Sequence, residues 1–173
     1  RHSSSAASDV YKRQHIILTE RYKWILMNFL IQNARWLIAT AFLYFCSCFG
    51  QTFFISLFAG EIRQTFDLSH GDWGFIYSGG TLASAIAMLI FGGYIDKYKI
   101  TLNIKIVIIS LSLLCLSMTF VSIIWLLPFI IFGLRFFGQG MLTHIPAVAI
   151  GKWYGKNKGK ALSISIMGFS IGE

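Results

Sequence analysis

The sequence predicts an all-α integral membrane protein, a bundle of bilayer-spanning helices. Three observations predict it: long stretches without a charge, basic and acidic loops in alternation between them, and tryptophans at their ends. Hydrophobic residues make up 55% of the 173 residues and charged ones only 13%, against about 25% charged in an average soluble domain. Mean hydropathy is +0.65. Bilayer-length apolar runs are therefore the feature to look for.

The first run, Trp36 to Gly60, has 25 residues and no charge, which as a helix reaches about 37 Å at 1.5 Å per residue. The second, Trp73 to Ile95, has 23 residues. The third runs 46 residues from Ile106 to Gly151, with Arg135 as its one reliably charged side chain. It is too long for a single crossing and is expected to fold back near Ser122–Pro128. A fifth run begins at Ala161 and reaches Glu173. The expected spans are residues 36–60, 73–95, 102–122 and 125–150, with an incomplete fifth from 161.

The net charge is +8, but its distribution excludes a nucleic-acid partner. Lys97, Lys99 and Lys105 follow the second run with Asp96 as the one acid. Lys152, Lys156, Lys158 and Lys160 follow the fourth with none, while Glu61, Asp67 and Asp72 stand between the first and second with only Arg63. Alternate basic loops are the positive-inside pattern, which places the N-terminus and both lysine-rich loops in the cytoplasm. Trp36, Trp73, Trp125 and Trp153 fall near span ends, where an amphipathic ring prefers the interface. The expected location is the cytoplasmic membrane of a bacterial cell, with the lipid bilayer as partner.

Cys46, Cys48 and Cys115 lie inside spans and read as small apolar fillers. No metal site, cofactor, phosphate loop or catalytic Ser/His/Asp set is expected, and the acids lie in loops or at helix ends. An enzyme is not expected.

Arg135 sits about ten residues into the fourth span, roughly 15 Å along it and near mid-bilayer. An arginine there costs at least about 2.5–3.5 kcal/mol on insertion scales, so it must face protein or a water-filled cavity. Two readings stand: an anion contact or coupling charge, or a structural latch to a carbonyl or carboxylate on a neighbouring helix. Gln139 shares its face at i+4, whereas His144 at i+9 points away and reads as a packed histidine. Gln51 interrupts the first run as a cavity liner or an interhelical hydrogen-bonding group. In the second span Gly79 and Ala83, with Ala87, form a small-residue row, and Gly80 with Ser84 forms another; both read as helix-packing surface. Glu173 is a candidate to face the cavity and pair with Arg135.

Two motifs resemble the major facilitator superfamily. In "GGYIDKYKI", Gly92, Asp96 and Lys97 are similar to its cytoplasmic signature G-x-x-x-D-[RK]-x-G-[RK], although Lys99 and Ile100 stand where glycine and a basic residue are usual. "GLRFFGQGMLTHIPAVAIGKWYGKNKGKALSI" resembles its helix-four pattern through Arg135, Gly138, Gly140, Trp153, Tyr154 and the Gly159-Lys160-Ala161 exit. "MGFSIGE", with Gly168 and Gly172, resembles the glycine-rich opening of helix five. The resemblance implies a secondary transporter of twelve helices in two halves, with a small-molecule substrate bound near the midplane. It implies a conformational gate at Gly92, Asp96 and Lys97, and packing roles for Gly138, Gly140, Gly168 and Gly172. The expected function is alternating-access transport of a small solute, with an organic anion as the candidate substrate and proton symport as the candidate coupling. The rivals are a drug or metabolite exporter of the same fold, and a membrane-embedded enzyme or non-transporting assembly protein.

Residues 4–14, "SSAASDVYKRQ", resemble the in-frame translation of a sequencing-library adapter. Residues 1–14 are therefore expected to be a non-native, unstructured tail. Residues 15–34 form an N-terminal segment with Met27 as a candidate start, and 35–173 are expected to be part of the first six-helix domain. The remaining helices are expected on a longer chain.

Overall fold

The computed structural model describes the backbone of residues 3–173 and the side chains of residues 20, 21, 23–95 and 97–173. Residues 1–2 and the side chain of Asp96, part of the expected tail and gate, lie outside the described residues.

Helix α1 runs from Ser3 to Ser47. Its backbone is helical from Ser3, so residues 3–14 of the tail expected to be unstructured are helical. The stretch after Ser5 is rich in good helix formers such as Ala, Lys, Arg and Gln. Extending an existing helix also costs far less than nucleating one. The chain divides into two compact units, Arg1–Ile38 and Ala39–Glu173. In the first, Lys23 Nζ meets the Glu20 carboxylate at 2.8 Å, and the Arg35 guanidinium lies 5.5 Å from the Trp36 ring centroid.

In the second unit the first apolar run is not one helix. After Ser47 the chain tightens into a 3-10 turn, Cys48–Gly50, and becomes extended at Gln51 (φ −82°, ψ 157°). It resumes as α2 (Thr52–Leu57) and α3 (Ala59–Thr65). The expected continuous span over 36–60 is thus broken at Gln51.

Ser69 starts α4 (His70–Phe91) with a capping box: its hydroxyl accepts from the Asp72 backbone N–H at 3.1 Å, and the Asp72 carboxylate accepts from the Ser69 N–H at 3.1 Å. A short helix α5 (Tyr94–Lys97) turns the chain into α6 (Ile100–Phe120). The reversal expected near 122–128 is an extended Val121 and a 3-10 turn, Ile124–Leu126, leading into α7 (Leu127–Gly133). The fourth span then passes through a π-helix, Leu134–Met141, into α8 (Leu142–Tyr154). Gly155 takes φ 44°, ψ −111°, a left-handed conformation that costs glycine nothing, and the chain turns into α9 (Lys158–Gly172).

The π segment is the centre of this unit: α4, α6, α8 and the Cys48–Gly50 turn all pack on it. Around it Leu127, Ile131, Leu142 and Ile145 have no exposed surface. Contacts fix the relative directions. Gly80 lies at Pro128–Phe132 and Met88 at Gly140, so α4 runs parallel to the fourth span. Leu114 lies at Gly133 and Leu111 at Gly138, so α6 runs antiparallel to it. Thr40 bonds Ser165 and Gly172 abuts Cys48, so α9 runs parallel to the end of α1. This is up-and-down threading of successive spans.

Among the described residues four helical stretches are long and apolar enough to cross a membrane: Lys23–Leu57, His70–Phe91, Ile100–Phe120 and Ile124–Gly172. The last contains the Gly155 turn. Only 11% of the most apolar window of α4, and of α6, is buried, with Leu89 87% and Phe120 79% exposed. Such faces belong in hydrocarbon, and helices satisfy their own backbone groups there. The protein is a multi-pass membrane protein with an all-α fold.

Candidate functional site

Where the broken first span crosses the π-helix, two glycines face each other. A Cβ added to Gly138 would lie 2.6 Å from Gly50 Cα and 2.8 Å from Gly50 N. One added to Gly50 would lie 2.7 Å from Gly138 Cα and 2.8 Å from Gln139 N, and would collide with the Leu134 carbonyl. Backbone touches backbone here, which only paired small residues permit.

That contact positions Arg135. The side chain is 7% exposed. Its Nη1 donates to Thr52 Oγ1 at 3.0 Å and reaches the Gly50 carbonyl at 3.4 Å. Its Cζ lies 5.6 Å from the Tyr77 ring centroid, within cation–π range. The Tyr77 hydroxyl also donates to Thr52 Oγ1, at 3.0 Å. Thr52 therefore accepts from both Arg135 and Tyr77, leaving its own hydroxyl proton free to donate, and it stands exposed at the edge of the cluster.

Among the described residues no carboxylate pairs with Arg135. The buried Nε of Arg135 has no hydrogen-bond partner. A guanidinium stays charged in proteins and offers five donors in a planar fork. The cluster is thus a buried cation held through Nη1 to the first span, with its Nε left without a partner.

The structure brings Gln51 and Gln139 to this crossing. Gln51 is 8% exposed and links the two residues that hold Arg135, Gly50 and Thr52. Gln139 is half-buried in the π-helix, with its backbone nitrogen among the atoms facing Gly50. Glu173 is not part of the cluster: it is exposed and forms no ion pair with Arg135, because α9 follows α1 and seats Gly172 against Cys48 instead. His144 is half-buried in α8.

The glycines divide. Gly140 packs against Met88, its Cβ position 2.8 Å from both Cγ and Sδ; Gly168 lies on the Ala41 backbone; and Gly172 touches Cys48. In α4 the packing row is Gly80 with Ser84, since a Cβ on Gly80 would lie 3.0 Å from Ile131 Cγ2 and 3.2 Å from the Pro128 carbonyl. Gly79 and Ala83 are exposed, and nothing lies within 4 Å of a Cβ on Gly79, so no described residue packs on that position. Rows one residue apart are turned by about 100° on a helix, and only packing selects between them. At the expected gate Gly92 is buried and caps α4, while Lys97 Nζ lies 4.9 Å above the Tyr94 ring.

Gly50, Thr52 and Tyr77 escaped the sequence reading. The Gly-Gln-Thr triplet at 50–52 was their one visible signal, a polar interruption in an apolar run. Two cavities of about 550 and 530 Å³ open elsewhere, one between Phe49–Phe66 and the end of α6, the other between α4, α6 and the fourth span. Arg135 lines neither.

No curated protein and no solved structure matches this chain significantly. The family model of the Major Facilitator Superfamily matches residues 40–173, the stretch that holds the broken span, the π-helix and Arg135. The chain belongs to the Major Facilitator Superfamily and is a membrane transporter.

Proposed function

We propose that the protein is a secondary active transporter that moves a small organic anion, such as a carboxylate, by alternating access with proton symport. One observation carries the reading: Arg135 is buried and cationic, with an unpartnered Nε and no carboxylate beside it among the described residues. A buried charge without a counter-charge is costly, and an arriving anion supplies one. The guanidinium fork and the Thr52 hydroxyl give it both charge and direction. Proton symport follows from energetics, since each negative charge carried inward opposes about 2.3 kcal/mol per 100 mV of membrane potential. A co-transported proton cancels that term.

The same reading places the N-terminus and the two lysine-rich turns in the cytoplasm. Packing of α5 on α8 supports it by bringing both turns to one end of the bundle. A second six-helix half would supply the facing wall of the pathway.

The test is uptake of radiolabelled mono- and dicarboxylates into proteoliposomes holding the protein expressed from its natural reading frame. At least one carboxylate accumulates under an inward proton gradient, and a protonophore abolishes accumulation. Arg135→Ala inserts normally but loses uptake, by about a hundredfold for a charge-assisted contact worth about 3 kcal/mol. Wild-type uptake by Arg135→Ala, or accumulation of organic cations alone, overturns the proposal.

A further inference from the structure

The 530 Å³ cleft between α4, α6 and the fourth span does not include Arg135 in its lining. Its walls are aromatic and aliphatic, with Phe91, Tyr94, Tyr98, Phe132 and Phe136 among them, and Asn103 is its amide. It extends along the fourth span from Phe132 to Ile145, at most about 20 Å at the α-helical 1.5 Å per residue and less through the wider π segment, comparable to one leaflet of a bilayer. One end reaches the turn carrying Tyr94 and Tyr98, about half of whose surface is open (47% and 56%). Lys97 stands over the Tyr94 ring at that mouth, and Lys99, the residue before α6, is exposed beside it.

We propose that this cleft is a binding site for one anionic phospholipid. An acyl chain lies along the aromatic wall, and the phosphate is met by Lys97 and Lys99. Depth and charge both select this occupant. The groove is as long as one leaflet, and its mouth is cationic where headgroups lie. Tyr98 and Asn103 supply neutral hydrogen-bonding groups at the boundary between hydrocarbon and headgroup. The cleft lining does not include Arg135, so the proposal stands whatever the substrate proves to be.

The experiment is native mass spectrometry of the full chain, delipidated in dodecyl maltoside and titrated with dioleoyl phosphatidylglycerol or dioleoyl phosphatidylcholine. One phosphatidylglycerol is retained in preference to phosphatidylcholine. Lys97→Gln and Lys99→Gln each lower that preference about fivefold, the ratio equivalent to the ~1 kcal/mol a basic residue contributes at an anionic surface. Lys158→Gln, on the other lysine-rich turn, leaves it unchanged. Leu102→Trp, which fills the cleft from α6, removes retention of both lipids, and Ala87→Phe does the same from α4. Equal losses from Lys158→Gln would show a diffuse basic surface and overturn the site, as would full retention in both cleft-filling variants. A lipid-free dimer broken by Leu102→Trp would assign the cleft to a second copy and likewise overturn it.

Discussion

Replacing Gly138 by alanine should separate the two helices that hold Arg135. The added methyl would sit 2.6 Å from Gly50 Cα, 2.8 Å from Gly50 N and 3.4 Å from Leu111 Cδ1. Carbon atoms rest at about 3.5–4.0 Å, so the crossing must open by about 1 Å. Both close atoms are backbone and cannot rotate away. Overpacking of this kind costs about 1–3 kcal/mol. The same movement lengthens the Arg135 contacts to Thr52 (3.0 Å) and Gly50 (3.4 Å) beyond hydrogen-bonding range. Thermal unfolding of the full chain in detergent should show a fall of roughly 2–12 °C, taking 2–4 °C per kcal/mol. Gly79→Ala is the control, because nothing lies within 4 Å of its added methyl. There the better helix propensity of alanine should stabilise by about 0.5–1 kcal/mol. An unchanged melting temperature and unchanged uptake in Gly138→Ala would refute the backbone contact and, with it, the account of how Arg135 is held.

Other substitutions probe separate parts of the fold. Ser165→Ala removes the buried 2.7 Å bond to Thr40 that joins α9 to the end of α1; an interhelical bond in a bundle is worth about 0.6–1.7 kcal/mol, read as a lower melting temperature. Ser69→Ala deletes the capping box of α4 and should cost about 0.5–2 kcal/mol, with loss of amide-exchange protection confined to the first turn. Tyr77→Phe keeps the ring beneath Arg135 but removes the donor to Thr52. Uptake should survive, with a modest rise in KM for the anion. A complete loss would mean that the hydroxyl itself contacts the solute.

The sequence alone determined the class of this protein. Runs of 25 and 23 residues without charge, and one of 46 with a single arginine, leave no soluble solution. Span count, the reversal after Phe120 and the burial of Arg135 follow from length, hydropathy and the cost of a bare charge in hydrocarbon, all of which are local or additive.

What occupies the other side of Arg135 was not legible, because partner choice is a property of packing between segments more than 80 residues apart. Gly50 and Thr52 hold the arginine only because the first span breaks at Gln51, and it breaks where the π-helix presses Gly138 against Gly50. Neither distortion has a strong local signature: Gly50 lies in a run that reads as continuous helix. The choice between Gly79 and Gly80 had the same origin. Both positions carry equally small residues, and tertiary structure decided by seating Gly80 against Ile131 and leaving Gly79 facing outward. Glu173 shows the converse: its charge made it an attractive partner for Arg135, but the parallel packing of α9 on α1 directs it elsewhere. Composition sets which residues must be buried, and contact geometry alone sets which of them meet.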